Sequence, residues 1–335
     1  MQRIRSLLII LPFMIAIIGC NETPPPSPAS ASGDSGSSLN TPYNIVTTTG
    51  MITDITKRIA GERGSVQGLI NSGIDPHLYQ PTRNDIQTLM KADIVFYSGL
   101  HLEGKMIDAF ERVAKITKVY AVTDALDRET LFSPPEYDGH HDPHVWMDPI
   151  AWSEAARTIQ SALIEHDPDG KELYDANAEQ LITEIKALDQ YASQALGSIP
   201  DEQRVLVTAH DAFSYFGQRY NFEVVGIQGI STESEAGVRD IERIVDLLVT
   251  RKIGAVFVET TVSERNIRAL IAGAHDRGHS VTIGGSLFSD AMGKEGTYEG
   301  TYIGMIDHNV TLIARALGAD IPASGMNGKL TDIEP

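Results

Sequence analysis

DGKELYDANAEQLITEIKALDQYASQAL, residues 169–196, decides the architecture. It carries few of the Gly and Pro residues that end helices, and it is longer than a globular helix usually runs. His166-Asp167-Pro168-Asp169-Gly170 separates it from a second helical pattern at 150–165. Upstream, short β-branched runs alternate with helix-period segments. Strands are expected at Tyr43–Thr47, Ser65–Ile70, Asp93–Tyr97 and Lys118–Val122, with helices around 51–60, 82–91 and 104–115. Thr82 followed by Asp85 reads as a helix N-cap. Downstream the same rhythm resumes, with strands at Arg204–Thr208, Glu223–Ile227, Ala255–Val258 and Ser280–Ile283, helices between them, and a last helix near 300–317. The fold class is therefore α/β: two lobes, each a mostly parallel sheet with flanking helices, joined by a long helix.

Composition narrows the function classes. The 335 residues include 27 Lys+Arg against 45 Asp+Glu, a formal charge of −18, so no nucleic-acid partner is expected. A single Cys excludes a disulfide framework and every Cys-cluster metal site. Any metal must be held by His and carboxylates.

The N-terminus reads as an export leader followed by a tether. Arg3 and Arg5 precede an apolar run from Leu7 to Ile18, too short to span a bilayer well and interrupted by Pro12. It ends in Ile17-Ile18-Gly19-Cys20, which resembles a lipobox, where cleavage precedes a Cys that then receives a lipid. An ordinary cleaved leader or an uncleaved anchor, with Cys20 incidental, are the other readings. Residues 21–42, NETPPPSPASASGDSGSSLNTP, hold too little apolar surface to offset their ordering entropy. The expected divisions are 1–19 leader, 20–42 tether, 43–165 N-terminal lobe, 166–198 linking helix and 199–335 C-terminal lobe.

Open parallel sheets bind ligands beyond the carboxyl ends of their strands. In those positions stand Gly73-Ile74-Asp75-Pro76-His77, His140-His141-Asp142-Pro143-His144, Thr208-Ala209-His210-Asp211 and Gly285-Ser286-Leu287-Phe288-Ser289-Asp290. Three imidazoles and a carboxylate, two groups from each lobe, would suit a divalent first-row metal. No single spacing among them is specific, because Asp-Pro-His alone is an ordinary turn.

Several longer stretches, in order, carry a resemblance. They are Asp75-Pro76-His77-Leu78-Tyr79-Gln80-Pro81-Thr82, Gly99-Leu100-His101-Leu102-Glu103, Asp142-Pro143-His144-Val145-Trp146-Met147-Asp148-Pro149, Thr208-Ala209-His210-Asp211-Ala212-Phe213, Phe288-Ser289-Asp290-Ala291-Met292-Gly293 and Gly300-Thr301-Tyr302-Ile303. From about residue 43 to 318 the chain resembles the zinc and manganese solute-binding lipoproteins of metal ABC importers, the ZnuA/TroA-like family. The resemblance implies two lobes on a rigid linking helix, with metal held between them by His77, His144, His210 and Asp290. It implies a non-enzymatic, monomeric receptor that passes its ion to an ABC permease and its ATPase. Such a receptor is held through the Cys20 lipid alone on the periplasmic or cell-surface side of the bacterial membrane.

Metal identity stays open at this stage. Three imidazoles favour Zn2+ over the oxygen-loving Mn2+, but the His-rich loop of zinc-specialised relatives has shrunk here to Glu136-Tyr137-Asp138-Gly139-His140-His141. His140 and His141 are expected to be loop residues; His101, His166, His275, His279 and His308 should face solvent or pack. Glu259 either accepts a hydrogen bond from a ligand imidazole or caps a helix. Trp146 is expected in the core. The competing functions are a secreted zinc metallohydrolase, for which no HExxH-type motif supplies a base, and a surface adhesin-type lipoprotein. The glycines around Asp290 (Gly284, Gly285, Gly293 and Gly296) mark its loop as the expected mover on metal loss.

Overall fold

The computed structural model describes residues 42–134, 137 and 139–331. The leader, Cys20, all of the tether but its last residue, and Glu136 and Asp138 of the shrunken loop lie outside them. Among the described residues no helix is long and apolar enough to cross a membrane.

Four parallel strands, β1 (Tyr43–Thr47), β2 (Gly64–Gly68), β3 (Ile94–Tyr97) and β4 (Lys118–Ala121), form the N-terminal sheet in the order β2-β1-β3-β4. Helix α1 (Gly50–Ala60) follows β1, α2 (Arg83–Leu89) follows β2 and α3 (Ile107–Val113) follows β3. Thr82 caps α2 as its sequence suggests. Its hydroxyl accepts the Asp85 amide while Asp85 accepts the Thr82 amide, which satisfies two donors that a helix start leaves unpaired. The C-terminal half pairs β5 (Val205–His210) with β6 (Glu223–Gln228), and β7 (Ala255–Glu259) with β8 (Thr282–Leu287), both parallel. Strand β5 runs beside β7. Helices α6 (Ser214–Tyr220), α7 (Val238–Arg251), α8 (Arg265–Asp276) and α9 (Tyr302–Ala316) complete this half.

All eight expected strands form, and two boundary shifts matter. Strand β5 extends to His210, so that histidine ends the strand instead of following it. Strand β8 runs through Gly284-Gly285 to Leu287, although paired glycines weaken a strand. A register irregularity between Val256 and Phe257 leaves Gly284 unpaired, and Gly285 beside it sits at φ +133°, where an added Cβ would lie 2.5 Å from Leu312. Glycine is there for close approach to α9.

Helix α4 (Pro149–His166) and the 27-residue α5 (Lys171–Gly197) connect the halves. One face of α5 buries Leu181, Ile185, Leu188, Ala192 and Leu196, at the period of an amphipathic helix. It packs on α4, on α1 of the N-terminal half and on α9 of the C-terminal half. A single apolar cluster runs from Ile45 and Ile55 through Trp146, Trp152 and Ile185 to Phe257 and Leu312. The halves therefore share a core, and the strand ends of both face a common seam.

Candidate metal centre

Four buried side chains meet in that seam. His77 lies in the turn after β2, His144 just before a 3-10 turn at Val145–Met147, His210 at the end of β5, and Asp290 three residues past β8. None exceeds 3 % exposure. Asp75 fixes the first turn by accepting the His77 amide at 2.8 Å, while the Thr232 hydroxyl donates to its other oxygen at 2.5 Å from the C-terminal half. Asp142 does the same for His144, accepting its amide at 2.9 Å.

The ring orientations follow from hydrogen bonds on the far nitrogens. His144 Nδ1 donates to Asp142 Oδ1 at 2.7 Å, and His210 Nδ1 donates to Glu259 Oε2 at 2.5 Å. An ionised carboxylate only accepts, so each Nδ1 carries a proton and each Nε2 is turned to the centre. Glu259 also takes the His210 amide at 2.8 Å. It is thus an acceptor for the imidazole and not a helix cap.

The inward atoms are close together. His77 Nε2 lies 3.3 Å from His144 Nε2, Asp290 Oδ1 is 3.3 Å from His144 Nε2, and Asp290 Oδ2 is 3.3 Å from His210 Nε2 and 3.7 Å from His77 Nε2. One donor atom from each of the four falls within 4.8 Å of all the others. A zinc tetrahedron with ligands about 2.0–2.1 Å from the ion has edges of about 3.3–3.4 Å, which three of these separations match. His210 Nε2 and both Asp290 oxygens are fully buried and make no hydrogen bond among the described residues. Orphaned polar atoms at such depth are costly unless something of opposite charge engages them. Both carboxylate oxygens face imidazoles, so the donor set is three nitrogens with one or two oxygens.

The electrostatics suit a cation. Burial pushes His77 down to about 3, which keeps it neutral. Burial also opposes charge on His144, but Asp142 and Asp290 outweigh it and raise that histidine to about 9. His210 is likewise raised well above its ordinary value, against burial, by Glu259 and Asp290. Asp290 is buried, yet His210 and His144 hold it well below the usual carboxylate range. In the absence of metal, protons on these two imidazoles offset the buried Asp290 charge.

The other histidines stand apart. His166 packs on Tyr43, His279 and His308 bond the Ile253 and Ser286 carbonyls, and His275 is exposed. His141 bonds Ser133, and the exposed His140 ring touches that of His101 at 4.6 Å between centroids. Trp146 is fully buried, as its sequence suggests, but its indole also bonds the Ser289 carbonyl. Sequence offers no sign of that contact, because the partners lie 143 residues apart.

Comparison with known proteins identifies the family. The family described as zinc-uptake complex component A, periplasmic, matches residues 45–316. The manganese-binding lipoprotein MntA of Bacillus subtilis (strain 168) is 43% identical over 283 residues, which is 84% of this chain and 92% of that protein. The zinc-binding protein TroA of Treponema pallidum (strain Nichols) is 41% identical over 273 residues, covering 82% and 88% respectively. The solved structure of the periplasmic zinc-binding protein TroA from Treponema pallidum aligns at a TM-score of 0.80, over 82% of this chain and 99% of that one. With a family match over most of its length and relatives above 40% identity, the chain belongs to the zinc-uptake component A family.

Proposed function

We propose that the protein is an extracytoplasmic receptor that captures Zn2+ or Mn2+ between its lobes and delivers it to an ABC importer. His77, His144, His210 and Asp290 are the ligands. The observation that carries this reading is the buried set of inward-facing Nε2 and carboxylate atoms, several unpartnered, at spacings that fit a first-row ion. Residues 43–165 and 199–335 form the lobes, and 166–198 the linking helix. Cys20 carries the lipid, residues 20–42 tether the body to the membrane, and the receptor acts as a monomer beside its permease and ATPase.

A receptor reading is favoured over a hydrolase by the donor count. Catalytic zinc keeps one position open for water, whereas four side chains converge here and Glu259 is already engaged with His210. The ion itself is the cargo. Three imidazoles favour zinc, and a second Asp290 oxygen would add the harder donor that manganese prefers; the relatives include proteins named for each metal. Metal content per chain, measured after equilibration with equal Zn2+ and Mn2+, tests both parts. One ion per chain, lost in His144→Ala and Asp290→Ala, is expected. Unchanged stoichiometry in either variant refutes the ligand set, and turnover on ester, peptide or phosphate substrates refutes the receptor.

A further inference from the structure

Among the described residues neither Asp290 oxygen makes a hydrogen bond, unlike the Nδ1 atoms that orient His144 and His210. The position of Asp290 must come from the backbone that carries it. That backbone, between β8 and α9, is pinned to the N-terminal half near both of its ends. At one end the Trp146 indole Nε1 donates to the Ser289 carbonyl at 2.9 Å, immediately before Asp290. At the other the Tyr302 amide donates to Asp54 Oδ2 at 3.0 Å, and the Tyr302 hydroxyl donates to the Trp146 carbonyl at 2.8 Å.

Trp146 is common to both. It is fully buried, sits two residues after His144, and packs edge-on against that imidazole at 5.2 Å between ring centroids. One side chain thus contacts a nitrogen ligand from one half and the residue preceding the oxygen ligand from the other.

We propose that Trp146 is a positioning residue of the metal centre, holding the Ser289 carbonyl so that the Asp290 carboxylate faces the three imidazoles. This rests on the ligand assignment above. The indole N–H is the operative group. Buried backbone carbonyls require a donor, and among the described residues the Trp146 indole is the one that meets the Ser289 carbonyl. Losing it frees Ser289 to shift, and displacement of a few tenths of an ångström at Asp290 is felt directly in metal–oxygen distances.

The molecule supplies its own control. Its other tryptophan, Trp152, packs against Trp146 at 6.3 Å and is equally buried, but its indole nitrogen has no hydrogen-bond partner among the described residues. Trp146→Phe and Trp152→Phe therefore remove similar volume from one cluster, and only the first removes a hydrogen bond to the Asp290 segment. Zn2+ affinity by chelator competition and the visible spectrum of bound Co2+ are the readouts. Trp146→Phe should weaken Zn2+ about tenfold, within the range for groups that orient metal ligands. It should also raise the dissociation rate and alter the Co2+ bands, at an unchanged stoichiometry of one ion. Trp152→Phe should stay within about twofold of the parent. Placing 3-benzothienylalanine at position 146, which keeps the ring volume and lacks the N–H, should reproduce the Phe result, and it decides the matter if the Phe variant does not fold. Parental affinity for the benzothienyl protein, or an equal loss in Trp152→Phe, overturns the proposal. Asp290→Ala run beside them separates the two claims: parental affinity there refutes the ligand assignment, whereas a loss there with a neutral Trp146 refutes only the positioning role.

Discussion

At the scale of the residue, the centre is a contest between protons and metal. With His144 and His210 as the proposed ligands and His144 raised to about 9, an incoming ion at neutral pH must displace a proton from each. Affinity should therefore keep rising from pH 7 toward 9, where three ordinary imidazoles near 6.5 would already have reached a plateau. Titrating Zn2+ affinity across pH 5–9 checks this, and a plateau above pH 7 contradicts it. Asp142→Asn should move the plateau to lower pH while weakening binding about 10–100-fold. Stability of the metal-free protein runs the other way. A histidine raised above its unfolded value of about 6.5 stabilises fully below that pH, and the contribution is lost as pH rises through about 9. His77, depressed to about 3, instead costs stability as pH falls below about 6.5. Chemical denaturation of the metal-free protein should consequently show its maximum on the acid side of neutrality, and a maximum above pH 8 would count against the His144–Asp142 pair.

At the scale of the element, what could be read in advance was whatever has a local period. The β-branched runs, the Thr82–Asp85 cap and the uninterrupted α5 each reveal themselves within a few residues. The role of Glu259 could not be decided, because it depends on β5 lying beside β7, and sheet order leaves no local trace. The glycines around Asp290 have a second role that the sequence does not show. Read along the chain they signal flexibility, yet added Cβ atoms at Gly293 and Gly300 would lie 2.7 Å from Glu299 and 2.2 Å from the Lys294 carbonyl. They permit a tight packed turn; Gly296, at φ +85° with nothing near it, is the loose point. Helix α5 itself gives a graded prediction. Ala187 is exposed near its middle. Ala187→Gly should cost about 1 kcal/mol and Ala187→Pro about 3 kcal/mol or more in denaturant unfolding. Because α5 touches both α1 and α9, the Pro variant alone should also weaken metal binding. Equal affinity for the two variants would mean that the halves keep their spacing without α5.

At the scale of the whole molecule, the question is how a centre this buried exchanges its ion. Two features oppose a wide hinge: a continuous α5, which lacks the interior Pro that sharply kinks helices, and a core cluster shared by both halves. A wide swing would have to expose that shared apolar surface at about 25 cal/mol per Å2. Small local opening is cheaper, and the Asp290 side offers it. A cleft of about 770 Å3 lined by Gly50, Asp54, Asn71, Met292 and Thr301 reaches Asp290 but none of the three histidines. Its outer rim, 294–297, is exposed and tied to α1 by the Lys57–Glu295 ion pair, whose solvent-exposed partners contribute little. Metal at 1,000 times its Kd should stabilise the fold by about 4 kcal/mol through mass action, so a raised melting temperature by itself does not locate the opening. Hydrogen exchange does. Protection gained on metal binding should concentrate between 289 and 301, with the sheets of both halves already protected without metal. The scattering radius should change little between the two states. Uniform protection across both halves, or a clear contraction on metal binding, would instead place the motion in α5 and its junctions at Gly170 and Gly197.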